Sequence, residues 1–428
     1  MVTGIGIVSP VGNTRESSWE AVKVGKSGIR KITHFDTKDC ATQIAGEVRN
    51  FDPSAVLAVP LFPRGKRGEP LIQPIHPRDK KKMDRFIHLA IAASVEAYQD
   101  SGLDEYRDEM DSAMIGINIG VGMGGLPAME ETHAALLTHG FRKITPFFIP
   151  QVIANLAAGQ VSIVLHTQNT NYCSVSACAS SAHSIGESFR IIQRGDSEVM
   201  IAGGAEAVVC ALSIGGFAAM HALSTRNDEP EKASRPFDVQ RDGFVLGEGA
   251  ATLILEEYAF AKNRGAKIYA ELCGFGASSD AFHITHPMEE GDGGYRAMKM
   301  ALNESGLMAS EIDYVNAHGT STPLGDIQES KAVARLLKDS KNLHVSSTKS
   351  VTGHLLGAAG AIESAFSVLA IRDRIVPPTI NLEHLDPTCE ATGLNFTPNS
   401  AVRKTLDAAM SNSFGFGGTN VSLLYRKL

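Results

Sequence analysis

The feature that most constrains this chain is that it repeats itself. Ile185, Phe189, Ile192 and Asp196 recur as Ile362, Phe366, Leu369 and Asp373, each 177 residues further on. The spacing i, i+4, i+7 marks one apolar helical face in both copies. Phe244, Gly247 and Leu253 recur as Phe414, Gly417 and Leu423 at a separation of 170 residues. A single amphipathic helix can resemble another by chance, but two matched segments in the same order indicate duplication. The halves are placed at residues 1–258 and 259–428. A chain of 428 residues is long enough to give each half its own core.

Within the halves, short β-prone stretches alternate with helix-period stretches. Ala113–Ile119, Val199–Ala202, Ala251–Leu255, Ile268–Leu272, Ile312–Ala317 and Leu343–Ser346 read as strands. Phe86–Asp100, His183–Gln193, Tyr295–Ser305, Asp326–Leu337 and Gly360–Arg372 read as helices. This alternation predicts a layered α/β architecture.

Composition narrows the function classes. Forty Lys and Arg against 47 Asp and Glu leave a net charge of −7, which argues against nucleic-acid binding over the whole surface. Six scattered cysteines form no C-x-x-C pair, so neither a disulfide framework nor a zinc ribbon is expected. No apolar run reaches the roughly 18–20 residues that cross a bilayer, and Met1-Val2-Thr3-Gly4-Ile5-Gly6 lacks the charged lead of a signal peptide. The expected protein is soluble and cytoplasmic, in a reducing compartment, with no membrane partner. The chain opens almost inside a strand-like segment, so a few residues are expected upstream.

Residues 54–77 interrupt the pattern. Pro60, Pro63, Pro70, Pro74 and Pro77, with Gly65 and Gly68, predict a surface loop. A basic run follows, Arg78-Asp79-Lys80-Lys81-Lys82, ahead of a helix expected to begin near Met83. By itself such a run reads equally well as a solvated helix start.

The segment Ser174-Val175-Ser176-Ala177-Cys178-Ala179-Ser180-Ser181-Ala182-His183 carries the clearest chemical signal. It places Cys178 at or just before a helix N-terminus, where free N–H groups and the helix dipole favour a thiolate. Cys173 and Cys210 have no such setting and read as structural. Two histidines lie in small, glycine-flanked turns of the second half: His318 in Asn316-Ala317-His318-Gly319-Thr320, and His354 in Lys349-Ser350-Val351-Thr352-Gly353-His354. At a separation of 177, His354 falls opposite Ala177, so packed halves would bring a nucleophile and an imidazole together. The positive end of a helix disfavours imidazolium, leaving a neutral hydrogen-bond donor for a developing oxyanion.

These residues and their flanks resemble the β-ketoacyl-acyl-carrier-protein synthases of the thiolase superfamily, in particular the elongating synthase II type. The resemblance covers essentially the whole chain, through Val2–Gly12, Phe147-Phe148-Ile149-Pro150, Ala202–Glu206, Arg235–Gly249, His318–Asp326, Ser346–Glu363 and Ser411–Asn420. It implies a five-layered αβαβα fold and a homodimer. The implied reaction is decarboxylative Claisen condensation of an acyl thioester with malonyl-carrier protein, extending a fatty acid by two carbons. The partner it implies is an acyl carrier protein bringing its own phosphopantetheine arm; no other cofactor and no catalytic metal is implied.

The resemblance also assigns roles. Cys178 matches the acyl-accepting nucleophile, and His318 and His354 the pair that supports decarboxylation and holds the enolate. Lys349 matches the lysine that maintains the electrostatics of the site, with Glu363 behind it. The backbone N–H groups of Cys178 and Phe414 match an oxyanion hole, and the Phe414 ring a gate in a glycine-rich loop. Thr320 and Thr322 match contacts to the pantetheine arm, Met123 and Phe217 the acyl pocket, and Ile149 a residue reaching the partner subunit's pocket. Arg78, Lys81 and Lys82 match the carrier dock; Asn316, Glu363, Ser411 and Asn412 match a monovalent-cation site.

The chain departs from the pattern in places. Ser176-Ala177 stands where Thr-Ala is commoner, Ser181 replaces a usual Gly or Ala, and His286 replaces a serine beside Thr285. These bear on selectivity rather than on the reaction. Among rivals, Gly120-x-Gly122-x-x-Gly125 fits a dinucleotide fingerprint but has no acidic partner near residue 140. Gly25-Lys26-Ser27 lacks the first glycine of a phosphate loop, and His283 with His286 has no third metal ligand. The Asn412–Asn420 loop lacks the second cysteine of a degradative thiolase. A polyketide ketosynthase shares Cys-His-His and is the alternative, and a non-catalytic chain-length partner would have lost Cys178.

Overall fold

A computed structural model of the chain describes residues 1–54, 79–106 and 109–428. Most of the proline-rich insertion, and Arg78 of the expected carrier dock, lie outside the described residues.

Two five-stranded mixed sheets organise the molecule. The first half contributes β1 (Val2–Val8), α1 (Arg85–Asp100), β2 (Ile115–Gly120), α2 (Leu156–Leu165), β3 (Asn171–Tyr172), α3 (Ser180–Gln193), β4 (Val199–Glu206) and β5 (Gly249–Glu256). The second contributes β6 (Glu271–Ser279), α4 (Asp292–Ser305), β7 (Tyr314–Asn316), α5 (Gly325–Leu337), β8 (His344–Ser346), α6 (Ala359–Asp373), β9 (Ala408–Gly415) and β10 (Thr419–Arg426). The sheet orders are β1-β5-β4-β2-β3 and β6-β10-β9-β7-β8, which are the same order in corresponding elements. Helices α3 and α6 touch each other and pack between the two sheets. Helices α1 and α2 cover the outer face of one sheet, and α4 with α5 lies against the second half's strands and each other. These are the five layers, α-β-α-β-α. Strands β1, β4 and β5 are buried at every position, because each is covered on both faces.

Close contacts show the duplication residue by residue. A Cβ on Gly4 or Gly6 of β1 would collide with the carbonyl oxygens of Ala97 and Ala93 on α1. A Cβ on Gly274 or Gly276 of β6 would collide with those of Ala301 and Ala297 on α4. In both halves the first strand lies against its helix backbone, and only glycine leaves the room.

The repeat at a separation of 170 holds along β5 and β10, which carry Leu253 and Leu423 and pair end to end with β4 and β9, whereas Phe244 precedes β5 and its counterpart Phe414 lies within β9. The helix repeat needs a correction. A 3₁₀ turn, Ala177–Ala179, leads into α3, and another, Leu356–Ala358, leads into α6. Both turns open on a non-glycine residue in the left-handed region, Ala177 at φ 50° and Leu356 at φ 46°. Asn118 of β2 donates to the Ser184 carbonyl, and Asn316 of β7 donates to the Glu363 carbonyl. The copies therefore correspond at a separation of 179 rather than 177, and the counterpart of Cys178 is Gly357, not a neighbour of His354. Helix α6 is buried on nearly all sides, so its apolar pattern admits more than one register.

Strand boundaries also moved. The strand expected at Ile268–Leu272 runs from Glu271 to Ser279. Helices also form at Leu126–His139, Leu156–Leu165 and Ala211–Ala219; all three are weakly amphipathic, and the last carries Phe217 into the cavity wall.

Candidate active site

A cavity of about 570 Å³ opens between the halves. Cys178, His318, His354 and Phe414 all line it, together with Thr320, Thr322, Met123 and Phe217. Lys349 and Glu363 are fully buried behind this wall, and the lysine ammonium is paired with a Glu363 oxygen. Ile149 stands apart, 60% exposed on the short helix Phe148–Val152. Lys81 and Lys82 lie on the surface in the 3₁₀ turn Asp79–Lys82.

Cys178 sits in the strained turn ahead of α3. Holding Ala177 in the left-handed region costs of order 1 kcal/mol or more and presents the sulfur to the cavity. Burial pushes the thiol up to about 12, while the Lys349 charge and the Phe416 N–H pull the other way. Burial thus opposes the thiolate that the helix N-terminus alone would favour. A Cβ on Gly415 would lie 3.2 Å from the Cys178 backbone nitrogen, so a glycine lets the loop close over the turn.

The histidines are fixed through their backbones. His354 donates from its backbone N–H to Val245 at 2.7 Å, and its carbonyl accepts from Gly247 at 2.9 Å. The backbone N–H groups of His318 and Gly319 donate to the two oxygens of Glu329 at 2.8 and 2.7 Å. Asp326, one turn earlier on α5, accepts from Phe237, Ser321 and Thr322. Two buried carboxylates at i, i+3 thus shape the turn bearing His318 and the two threonines. Neither was singled out from sequence, although Asp326-x-x-Glu329 at a helix start just after a His-Gly turn was the available signal.

The rings form a chain of edges. Phe217 meets Phe244 at 5.2 Å, Phe244 meets His354 at 5.4 Å, His354 meets His318 at 5.3 Å, and His318 meets Phe414 at 5.8 Å. Burial pushes both imidazoles well below the usual histidine range, and the Lys349 charge adds to the effect. Both are neutral at physiological pH, as a pair of N–H donors would require.

The residues of the expected cation site divide. Asn316 and Ser411 are register partners in β7 and β9, and Asn316 reaches the Glu363 carbonyl at 3.4 Å. The second Glu363 oxygen and the Ser411 hydroxyl are buried without partners. Asn412, next along β9, points to the other face, toward Met298 and Glu329. The Asn412 side chain is therefore turned away from these two unpartnered oxygens. Among the described residues there is no cluster of three acidic, histidine or cysteine side chains suited to a metal, and His283 stacks on His286 without a third ligand.

A duplicated five-layer fold with a thiol and two neutral imidazoles around one cavity defines a condensing enzyme of the acyltransferase class. Two family models match the chain, the β-ketoacyl synthase N-terminal domain over residues 1–261 and its C-terminal domain over 269–383. The 3-oxoacyl-[acyl-carrier-protein] synthase 2 of Vibrio harveyi is 49% identical over 430 residues, covering all of this chain and 98% of the relative. A β-ketoacyl synthase structure from Burkholderia phymatum STM815 superposes with a TM-score of 0.88 at 34% identity, over all of this chain and 98% of that one. A type II polyketide ketosynthase solved with its acyl-carrier protein gives 0.87 at 31% identity, over the same shares. The chain belongs to the β-ketoacyl synthase family.

Proposed function

We propose that this protein elongates fatty acids by condensing an acyl thioester with malonyl-carrier protein, using Cys178 as acyl acceptor and His318 and His354 as enolate donors. The convergence of that thiol and two neutral imidazoles on one cavity carries the reading. Cys178 attacks the acyl thioester; the sulfur–carbon bond to the enzyme forms, and the carrier thiol leaves with the proton. Malonyl-carrier protein then loses carbon dioxide, and its electron pair remains as an enolate held by the imidazole N–H groups. The enolate carbon attacks the Cys178 thioester, the new carbon–carbon bond forms, and the sulfur leaves as a thiolate that takes up a proton from water to restore the thiol. Electrons come from the broken malonyl bond, so the cycle calls for no redox cofactor.

In this reading Thr320 and Thr322 guide the pantetheine arm, while Met123 and Phe217 wall the acyl chain. Phe414 gates the entrance, and the backbone N–H groups of Cys178 and Phe414 receive the thioester oxygen. Lys349, with Glu363, keeps the imidazoles neutral, and Asn316, Glu363 and Ser411 would hold any structural monovalent cation. The halves divide near residues 258 and 259. The protein acts in the cytoplasm as a homodimer, which would cover Ile149 and seat it in the partner subunit's pocket.

The deciding experiment supplies malonyl-carrier protein with acyl-carrier proteins of graded length and reads products by mass spectrometry. A 3-ketoacyl-carrier protein two carbons longer is the expected product. No product from folded protein with a reactive Cys178 would move the function to polyketide synthesis.

The pH profile follows from burial. A free imidazole gains its proton near pH 6.5, and both histidines here are shifted downward, so their neutral form persists to lower pH. Malonyl decarboxylation is expected to hold its rate as pH falls through about 6.5 and to fail only below it. An acid limb centred above that value in a pH-rate series would contradict the assignment.

Lys81 and Lys82 dock the acidic carrier in this proposal. Gln151 holds the Lys81 carbonyl at 3.1 Å, and the Lys82 ammonium lies 5.2 Å from the Phe147 ring, so the turn is braced against the helix bearing Ile149. Replacing both lysines with glutamate should weaken carrier binding about tenfold or more at low salt and less at high salt, measured by calorimetry. An unchanged affinity at low salt would remove this patch as the dock.

A further inference from the structure

The reaction just proposed makes no use of Glu206, the last residue of β4, although it is fully buried beside the cavity. One of its oxygens accepts from the backbone N–H of Gly122 at 2.8 Å and from that of Gly357 at 3.1 Å. The other accepts from the N–H of Met123 at 3.1 Å. The carboxylate therefore clamps the loop after β2, from the first half, to the turn ahead of α6, from the second. Glycine is needed on both sides of the clamp. A Cβ on Gly122 would lie 2.5 Å from the Glu206 oxygen, and one on Gly357 would lie 2.7 Å from it. Gly122 and Met123 line the cavity, as does Leu356 next to Gly357.

We propose that Glu206 is a positioning residue that fixes the Met123 wall of the acyl pocket and so sets which chain lengths the enzyme accepts. The proposal rests on the acyl-pocket reading of Met123. Three N–H groups converge on one carboxylate, and an amide in its place supplies one acceptor oxygen and turns a donor toward the remaining N–H groups. Met123, whose own N–H is one of the three, loses its anchor. A short acyl chain ends before that wall, whereas a long one reaches it. Burial pushes the carboxyl up to about 7, which those N–H bonds resist, so the clamp is held by geometry in competition with desolvation.

The test compares Glu206→Gln with the unaltered protein on butyryl-, octanoyl- and palmitoyl-carrier protein, in full-length enzyme. KM for the palmitoyl substrate should change about fivefold or more while that for the butyryl substrate stays within about twofold. In a Met123→Ala background the same replacement should add less than about twofold to the chain-length ratio, because its effect passes through Met123. Gly122→Ala, which drives a methyl into the same contact, should reproduce the long-chain effect and serves if Glu206→Gln does not fold. Equal changes for short and long chains, no change for either, or a full added effect in the Met123→Ala background would overturn the proposal. Failure of the unaltered protein to elongate any of the three substrates would instead overturn the functional reading beneath it.

Discussion

Cys178→Ala protein should lose elongation by about a thousandfold or more yet continue to decarboxylate malonyl-carrier protein. The two activities separate because their residues are held by separate sets of contacts. The sulfur is presented by the strained turn ahead of α3. The imidazoles are fixed by Val245, Gly247 and Glu329 through backbone bonds that do not involve Cys178. On the proposed mechanism, removing the sulfur deletes the acyl acceptor and with it the covalent route. The imidazole donors, Lys349 and the cavity remain, so an enolate can still form and be quenched by a proton. The variant loses one sulfur atom at the edge of an existing cavity, a change the fold accommodates. Intact-mass spectrometry should show no acyl-enzyme, and carbon dioxide release should persist. Retained elongation would remove Cys178 from the mechanism.

The second large effect concerns the pair behind the site. Lys349, on the short helix Lys349–Thr352, and Glu363, on α6, are both fully buried. Burial raises the Glu363 carboxyl and the lysine pulls it back, so each group makes the other's charge tolerable. Lys349→Met leaves one buried carboxylate without its cation and should cost about 3–5 kcal/mol in unfolding. Adding Glu363→Leu should recover much of that stability, because two apolar groups then replace the pair. It should not recover activity. The Lys349 charge also adds to the depression of both imidazoles and opposes the rise of the Cys178 thiol. Without it the histidines take up protons more readily, and the acid limb of decarboxylation should move to higher pH in both variants. Denaturant unfolding and a pH-rate series read the two effects separately. A double variant as unstable as the single one, or an unmoved acid limb, would deny the lysine this role.

Much of the site was legible because its chemistry sits in short contiguous turns. Cys178, His318, His354 and Phe414 each lie among small residues that have few other uses, and all four line one cavity. The α/β alternation was legible for a similar reason, since central helices such as α3 keep an amphipathic period. Register was not. Helix α6 is packed between two sheets and apolar nearly all round, so its sequence could be slid by two residues without losing the match. Glu206 and Glu329 were missed because a carboxylate at a strand end or on a helix reads as solvated. The folded chain seals both in, Glu206 between the loop after β2 and the turn ahead of α6, and Glu329 against the His318 turn and Asn412. Asn412 shows the converse: adjacent to Ser411 in sequence, it faces the opposite layer.

The twin turns ahead of α3 and α6 have one more consequence. They match in backbone, down to the left-handed residue that opens each, yet one presents a sulfur and the other, at Gly357, presents only a peptide N–H. A molecule built from two like parts would ordinarily offer two like workplaces. Here the second has been emptied of its side chain, and its backbone braces the wall of the first. The spare copy of the apparatus has thereby become the fixture against which the acyl chain is measured.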